Sequence, residues 1–249
     1  MPLVALSSHC CHGIGVAGHR RLSDLARQKS PRERPFPSIG MPQPRVGAHP
    51  VAKHATIAVM ATVVVEPISQ LDLHADIPIA YLVERVLDLE LVDGGLGGIR
   101  LSEVPVEEPW TKDYDAIKGE GPTRWRRRFD VTNWGLIAAH EGERRVGGAV
   151  VAFNTAGVNV LEGRSDLAVL WDIRIRPEAR SAGIGTNLFH AAMEWARDRG
   201  CRTMKVETQN INVPACRFYE HVGCSLGAID RFAYPDLPDE VQLMWFKDL

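Results

Sequence analysis

Short apolar blocks recur along the chain from residue 62 onward, and most of them have the length and alternation of β-strands. Alternation is clearest in Ala80–Leu91, and Leu167–Ile175 is almost continuously apolar, as expected of a strand buried on both faces. Glycines at 94–98 predict a turn between two of these blocks. Strands are predicted at Val63–Pro67, Ala80–Leu91, Ile99–Val104, Leu136–His140, Val146–Phe153, Leu167–Ile175, Thr203–Glu207, Ser225–Ile229 and Glu240–Phe246.

Two helices are predicted in the second half of the chain, each bounded by residues that favour helix ends. Gly183–Arg199 has apolar residues at helical spacing, and Gly200 follows it as a terminating glycine. Asn212–Val222 begins with a capping asparagine and has Pro214 in its first turn. Strands and helices therefore alternate, and the fold class is α/β (α+β).

Residues 1–59 differ from the rest and are predicted to be a disordered basic extension. Between Met1 and about His54 there are eight Lys or Arg residues, two acidic residues and seven prolines. Three interpretations remain open: an arm that binds an acidic partner, an organellar transit peptide, or a segment foreign to the native protein. We favour the last, with a native start at Met60, and we expect residues 60–249 to form the functional domain.

Composition excludes several classes of protein. The 249 residues are 45% hydrophobic and 24% charged with a net charge of -2, which is typical of a globular protein and gives no general attraction for nucleic acid. The longest apolar run, Ile57–Val65, is too short to cross a membrane. Five cysteines without a C-x-x-C pair favour free thiols in a reducing compartment, so we expect a cytoplasmic protein without a metal centre.

The segment that joins the apolar strand to the first helix carries the pattern Arg-x-x-Gly-x-Gly, formed by Arg180, Gly183 and Gly185. A helix N-terminus presents unpaired N–H groups that favour an anion, and glycines let the backbone approach a phosphate closely. The pattern predicts a pyrophosphate site, although a plain strand-to-helix turn would have the same spacing. The glycine fingerprints of P-loops and of dinucleotide-binding folds are missing.

A second motif lies downstream in Asn212–Tyr219, with the pattern Asn-x-x-Ala-x-x-x-Tyr. The two motifs, in this order and at this distance, resemble the GNAT superfamily of acetyl-CoA-dependent N-acetyltransferases, and the match runs from about Asn133 to Leu249. The sequence Glu-Thr-Gln-Asn-Ile-Asn-Val-Pro-Ala-Cys-Arg-Phe-Tyr further resembles the streptothricin acetyltransferase branch.

The resemblance implies a mixed, mostly antiparallel central sheet flanked by helices, with acetyl-CoA bound as co-substrate where two central strands diverge. It implies that Asn212 contacts the pantetheine end and that Tyr219 protonates the departing thiolate, although Tyr219 could simply pack in its helix. The remaining implied acetyl-CoA-binding residues are Ile173, Arg174, Ile175, Arg180, Ser181, Ala182, Gly183, Ile184, Gly185 and Thr186.

Two carboxylates interrupt apolar strands, Asp172 and Glu207. A buried carboxylate is costly unless it is paired or used, so either residue could take a proton from the amine, or each could make a structural bond. Positioning of the two reactants could also suffice without a base. The predicted acceptor-binding residues are four aromatic residues in the segment expected to face the acceptor, with a hydrophobic core as the alternative: Trp110, Tyr114, Trp125 and Trp134.

The resulting expectation is direct transfer of an acetyl group to a primary amine of a small molecule such as an aminated antibiotic. A polyamine, an amino acid or a protein N-terminus would also fit as the acceptor, and a homodimer is left open. The alternatives are a catalytically silent sensor that binds acyl-CoA, or a protein in which the basic N-terminal arm is the functional part.

Overall fold

The structure, a computed structural model, describes residues 61–249 and the backbone of Val4–Ala5. Apart from Val4–Ala5, the extension at residues 1–59 that was predicted to be disordered lies outside the described residues. The predicted start at Met60 lies outside them as well. Within the described part, no helix is long and apolar enough to span a membrane.

A large mixed sheet organises the domain. Its strands follow the order β2-β5-β6-β7-β8-β10-β9, with β1 also paired to β7, while β3 and β4 form a separate hairpin. Neighbouring strands are antiparallel except β7 and β8, which are parallel. The strands are β1 (Val4–Ala5), β2 (Thr62–Glu66), β3 (Tyr81–Leu91), β4 (Ile99–Lys112), β5 (Gly135–Glu141), β6 (Arg144–Phe153), β7 (Leu167–Ile175), β8 (Thr203–Gln209), β9 (Ser225–Asp230) and β10 (Gln242–Asp248).

Apolar side chains cover both faces of the sheet. The helices are α1 (Pro122–Arg128), α2 (Ile184–Arg197) and α3 (Val213–His221). One core packs α2 and α3 against the sheet, with Leu188 and Phe218 among its members. The second core contains Trp125 of α1, Trp134 and Trp171. The central strands are therefore buried on both sides, which explains the unbroken apolar sequence of β7.

Strands β7 and β8 diverge after a short parallel stretch. They pair only from Leu167 to Leu170 in β7, whereas β7 continues to Ile175 and β8 to Gln209. The pairing of β7 with β6 contains a β-bulge. Trp171 of β7 is the extra residue, because it lies between the two residues that pair with Val150 and Val151. Such a bulge bends a strand and increases its twist, and here it coincides with the start of the opening.

The predicted α/β class and mostly antiparallel sheet are confirmed. The region between residues 105 and 134 is more ordered than its sequence suggested. Strand β4 extends through Pro105 and Pro109 to Lys112, which is tolerated because the hairpin leaves one edge of β4 unpaired in the described sheets. Helix α1 begins with Pro122 in its first turn, and a 3-10 segment at Ile68–Asp76 was also unforeseen.

Candidate active site

The loop from β7 into α2 has the geometry of an anion site. Ser181 and Gly183 have positive φ values of 67° and 77°, and Gly183 is the residue that caps α2. The first hydrogen bond within α2 runs from the Asn187 amide to the Gly183 carbonyl oxygen, at 3.1 Å. The preceding amides point along the helix axis without an intrahelical acceptor. A β-carbon at Gly183 would meet no atom within 4 Å, so space for a ligand is open in front of the loop.

Arg180 places a positive charge beside these amides. Its Nε donates to the Ile175 carbonyl at 3.1 Å, which fixes the side chain against the end of β7. Its Nη2 is buried and has no hydrogen-bond partner among residues 61–249. A buried, unpartnered guanidinium nitrogen at a helix N-terminus suits a phosphate oxygen.

A cleft of about 430 Å³ lies between the N-terminus of α2 and the outer face of α3. Its lining includes Ser181, Gly183, Gly185, Arg217, Phe218 and His221. Arg217 and His221 are four residues apart and therefore lie one above the other on α3. Neither residue was predicted from the sequence, although their spacing beside the tyrosine of the second motif was a usable signal. The α3 wall of the cleft thus carries a basic side chain, Arg217, opposite the helix N-terminus of α2.

The β7 edge that faces β8 accepts an extended backbone. Strand β6 pairs with one edge of β7 along its whole second half, so the pairing of Val4 with Arg174 and of Ala5 with Ile173 uses the other edge. This edge is the one opened by the divergence from β8. The backbone of residues 173–175 therefore lies where an extended ligand could pair with it.

Asn212 and Tyr219 of the second motif lie at the two ends of α3. Asn212 is the N-cap, and its Oδ1 accepts from the Ala215 amide at 3.2 Å. Tyr219 is fully buried, and its hydroxyl has no hydrogen-bond partner in the described part of the chain. Burial, followed by the electrostatic effects of Cys224 and Asp172, raises the pKa of Tyr219 well above its ordinary value. The phenol therefore stays protonated at neutral pH.

Asp172 is held in a buried ion network. Its Oδ1 accepts from the Arg174 Nε and contacts the His74 Nε2, both at 2.8 Å, and Arg174 also pairs with Asp115. Burial acts to raise the pKa of Asp172, but Arg174 and His74 outweigh it and hold that pKa below its usual value. Burial lowers the pKa of His74, so we assign an anionic Asp172 and a neutral His74. The contacts of Asp172 are those of a structural anion.

Glu207 lies in a different environment. It is 2% exposed, and its Oε1 accepts from the Tyr234 hydroxyl at 2.6 Å. Its Oε2 is buried without a hydrogen bond of ordinary geometry to any described residue. Burial raises the pKa of Glu207 to about 7 against the opposing effects of Tyr234, Gln242 and Lys205. One oxygen of a carboxyl that changes charge near neutral pH thus has no hydrogen-bond partner among the described residues.

The four aromatic residues predicted to bind the acceptor do not form one surface. Trp125 and Trp134 are buried in the second core against Trp171, so the geometry gives no support to a binding role for them. Tyr114 is also buried, and its hydroxyl lies 3.3 Å from the Gln209 Oε1. Trp110 is 41% exposed and lines a second cleft, of about 560 Å³, together with Asp236, Asp239 and Glu240. No metal-binding cluster occurs among residues 61–249.

Curated relatives named as acetyltransferases match about a third of the chain. Streptothricin acetyltransferase A of Bacillus subtilis (strain 168) is 36% identical over 81 residues, which is 32% of this chain and 47% of the relative. The streptothricin acetyltransferase of Escherichia coli is 35% identical over 85 residues, 33% of this chain and 49% of the relative. The chain thus spans about half the length of these curated relatives.

Solved structures extend the likeness to about three quarters of the chain. The crystal structure of nourseothricin acetyltransferase aligns with a TM-score of 0.58 at 23% identity, over 76% of this chain and 98% of that one. At this identity the likeness shows the fold. The family model for the acetyltransferase (GNAT) family matches residues 100–224, just over half of the chain, and includes both sequence motifs. The cleft at α2, the capped helix α3 and the diverging strands therefore belong to a member of the GNAT acetyltransferase family.

Proposed function

We propose that the protein is an acetyl-CoA-dependent N-acetyltransferase that acts on a primary amine of a small molecule. One combination of observations carries the proposal: strand β7 diverges from β8 and leads into the helix N-terminus beside Arg180, and the same domain holds two buried side chains with unpartnered oxygens, Tyr219 and Glu207. An anionic, extended thioester would satisfy the first feature, and acyl transfer with proton movement would use the other two.

The residues present fit acetyl-CoA, which supplies an acetyl group activated as a thioester. The α2 amides and Arg180 would hold the pyrophosphate, because they combine unpaired N–H groups with a buried, unpartnered guanidinium nitrogen. The free edge of Ile173–Ile175 would pair with the pantetheine amides, in the place where Val4–Ala5 now pairs. Asn212 would contact the same arm near the start of α3.

The reaction requires one proton to leave and one to arrive. The neutral amine nitrogen would attack the thioester carbonyl, forming a C–N bond and breaking the C–S bond. Glu207 would take the proton that the amine loses, through its open Oε2, and Tyr219 would give its proton to the thiolate. Asp172 would have a structural role, because its oxygens already bond to Arg174 and His74 and hold the strand in place.

The acceptor would enter from the cleft that Trp110 lines. The exposed Asp236 and Asp239 give this cleft a negative rim, and an exposed indole attracts a cation through its ring face. A polycationic amine therefore fits better than a neutral one. Since relatives bear the name streptothricin acetyltransferase, an aminated antibiotic of the streptothricin type is the first acceptor to test.

A thiol-release assay tests the proposed function. The full chain is incubated with acetyl-CoA and one amine at a time: streptothricin, a polyamine, an amino acid or an N-terminal peptide. Free thiol that increases with time and saturates with one amine supports the transferase and identifies its acceptor class. Saturable binding of acetyl-CoA without thiol release on any amine would instead favour the silent acyl-CoA sensor.

Tyr219→Phe is expected to lower kcat by about 100-fold with little change in acetyl-CoA affinity, because it removes the proton donor and keeps the ring packing. Steady-state thiol release and calorimetry measure the two quantities. Tyr81→Phe is the matched control, since it also removes a buried tyrosine hydroxyl. Full activity of Tyr219→Phe would refute the assignment of the general acid.

A chain that begins at Met60 is expected to keep acetyl transfer and to bind acetyl-CoA at least as tightly as the full chain. All the proposed catalytic and binding residues lie in 60–249, and removing Val4–Ala5 frees the β7 edge. Calorimetry on both chains, with circular dichroism to confirm folding, makes the comparison. A folded truncated chain that no longer binds acetyl-CoA would show that residues 1–59 belong to the functional unit.

A further inference from the structure

Tyr234 donates a hydrogen bond to the buried carboxyl group of Glu207 from outside the sheet core. It lies in the segment between β9 and β10 and is buried. Its hydroxyl lies 2.6 Å from the Glu207 Oε1 and 2.7 Å from the Gln209 Nε2. The side chains of Glu207 and Gln209 lie two residues apart on β8 and therefore on the same face.

The polarity of these bonds fixes the direction of the Tyr234 proton. An amide NH₂ group can only donate, so the Tyr234 hydroxyl accepts from Gln209 and directs its own proton to Glu207. The Gln209 Oε1 faces the Tyr114 hydroxyl at 3.3 Å, which agrees with this orientation of the amide. Glu207 therefore receives a donor at Oε1, and its Oε2 remains the open acceptor.

The same contacts lead to the acceptor cleft. The Tyr114 hydroxyl also lies 3.2 Å from the Glu240 Oε2, and Glu240 forms an ion pair with Lys112. Glu240 lines the cleft that contains Trp110. The network therefore joins the rim of the cleft to the buried carboxyl group, through groups that the proposed mechanism does not use.

We propose that Tyr234 is a positioning residue for acetyl transfer, whose hydroxyl holds Oε1 of Glu207 so that Oε2 faces the acceptor amine. This inference rests on the proposed function, in which Glu207 takes the amine proton. Tyr234 touches neither reactant in this scheme. It acts through the orientation and the charge of Glu207.

The charged and titratable groups around Glu207 define the expected pH effect. Lys205 on β8 and Tyr234 both stabilise the carboxylate, as does the Gln242 amide on β10, while Glu240 and Tyr114 contact the network farther out. The donated bond favours the ionised form, so its loss raises the pKa of Glu207 above its present value of about 7. A base with a higher pKa is ionised only at higher pH.

Tyr234→Phe tests the proposal, with Tyr81→Phe as the matched control. In Tyr234→Phe, the acidic limb of the kcat/KM profile should move up by about one pH unit, while the KM for acetyl-CoA should stay unchanged. In Tyr81→Phe, the limb should stay in place, because that hydroxyl faces Tyr114 and not Glu207. Thermal melting of both variants confirms that each is folded.

An NMR titration of Glu207, which needs no catalytic turnover, separates this inference from the proposed function. The carboxyl carbon of Glu207, labelled with ¹³C and assigned by its loss in Glu207→Gln, is titrated by NMR in the wild-type and variant proteins. A higher midpoint in Tyr234→Phe alone supports the positioning role, whether or not an acceptor has been found. An unchanged midpoint in a folded Tyr234→Phe overturns it. If Glu207→Gln kept the kcat/KM profile of the wild-type protein, this result would instead refute Glu207 as the proposed base.

Discussion

Replacing Glu207 with glutamine is expected to lower kcat by about 100- to 1,000-fold while leaving acetyl-CoA affinity unchanged. The variant keeps the size of the side chain but cannot take a proton, and general base catalysis contributes rate factors of this order. The wild-type rate should also fall as the pH drops below about 7, because protonation of Glu207 then removes the base. That acidic limb should be absent from the residual activity of Glu207→Gln.

Glu194→Gln is the control for this experiment, since it makes the same chemical change at an exposed position on α2. It should retain the wild-type rate and pH profile. If Glu207→Gln retained both as well, the amine would be deprotonated elsewhere, and correct positioning of the two reactants would account for the rate.

Gly183→Val is expected to weaken acetyl-CoA binding by at least about 10-fold. The space in front of Gly183 is open, and a branched side chain there would stand between the α2 amides and a phosphate. The positive φ of 77° adds backbone strain, which destabilises the fold by about 1–3 kcal/mol. Calorimetric titration with acetyl-CoA measures the binding loss, and thermal melting measures the strain.

Gly200→Val separates the two effects. Gly200 follows the other end of α2 and has a φ of 79°, and a β-carbon added there would likewise meet no atom within 4 Å. It should therefore suffer similar strain and still bind acetyl-CoA normally. Equal loss of binding in both variants would mean that instability, and not a blocked phosphate site, explains the effect of Gly183→Val.

The parts of the site that are local in sequence could be predicted. The turn proposed to bind an anion depends on a strand, two glycines and a helix start within a dozen residues, and the Asn212 cap depends on one helix end. In both motifs, the spacing of the residues along the chain determines the local geometry. The strand and helix positions near them were accordingly predicted to within a few residues.

The roles of the two strand carboxylates could not be separated from sequence, because their partners are distant along the chain. Asp172 is held by His74, which is 98 residues away, whereas Glu207 is held by Tyr234, which is 27 residues away. Both look alike as single acids in apolar strands. The structure shows that one has a full set of cationic and imidazole partners and that the other keeps an open oxygen.

The aromatic segment shows a different limit of prediction from sequence. Trp110 and Trp125 are close in sequence, but one lies on an extended strand of the hairpin and the other on α1. Composition does not reveal which face of such elements is covered. As a result, Trp125 is fully buried in a core while Trp110 is partly exposed at a cleft.

Calorimetric titration of the full chain with acetyl-CoA tests the central claim most directly, because every proposed role depends on the cleft between α2 and α3. We predict saturable binding to one site per chain, with the affinity falling as ionic strength rises, since phosphate contacts with Arg180 and the α2 amides are screened by salt. The absence of saturable binding by a folded protein would contradict the proposed role of this cleft.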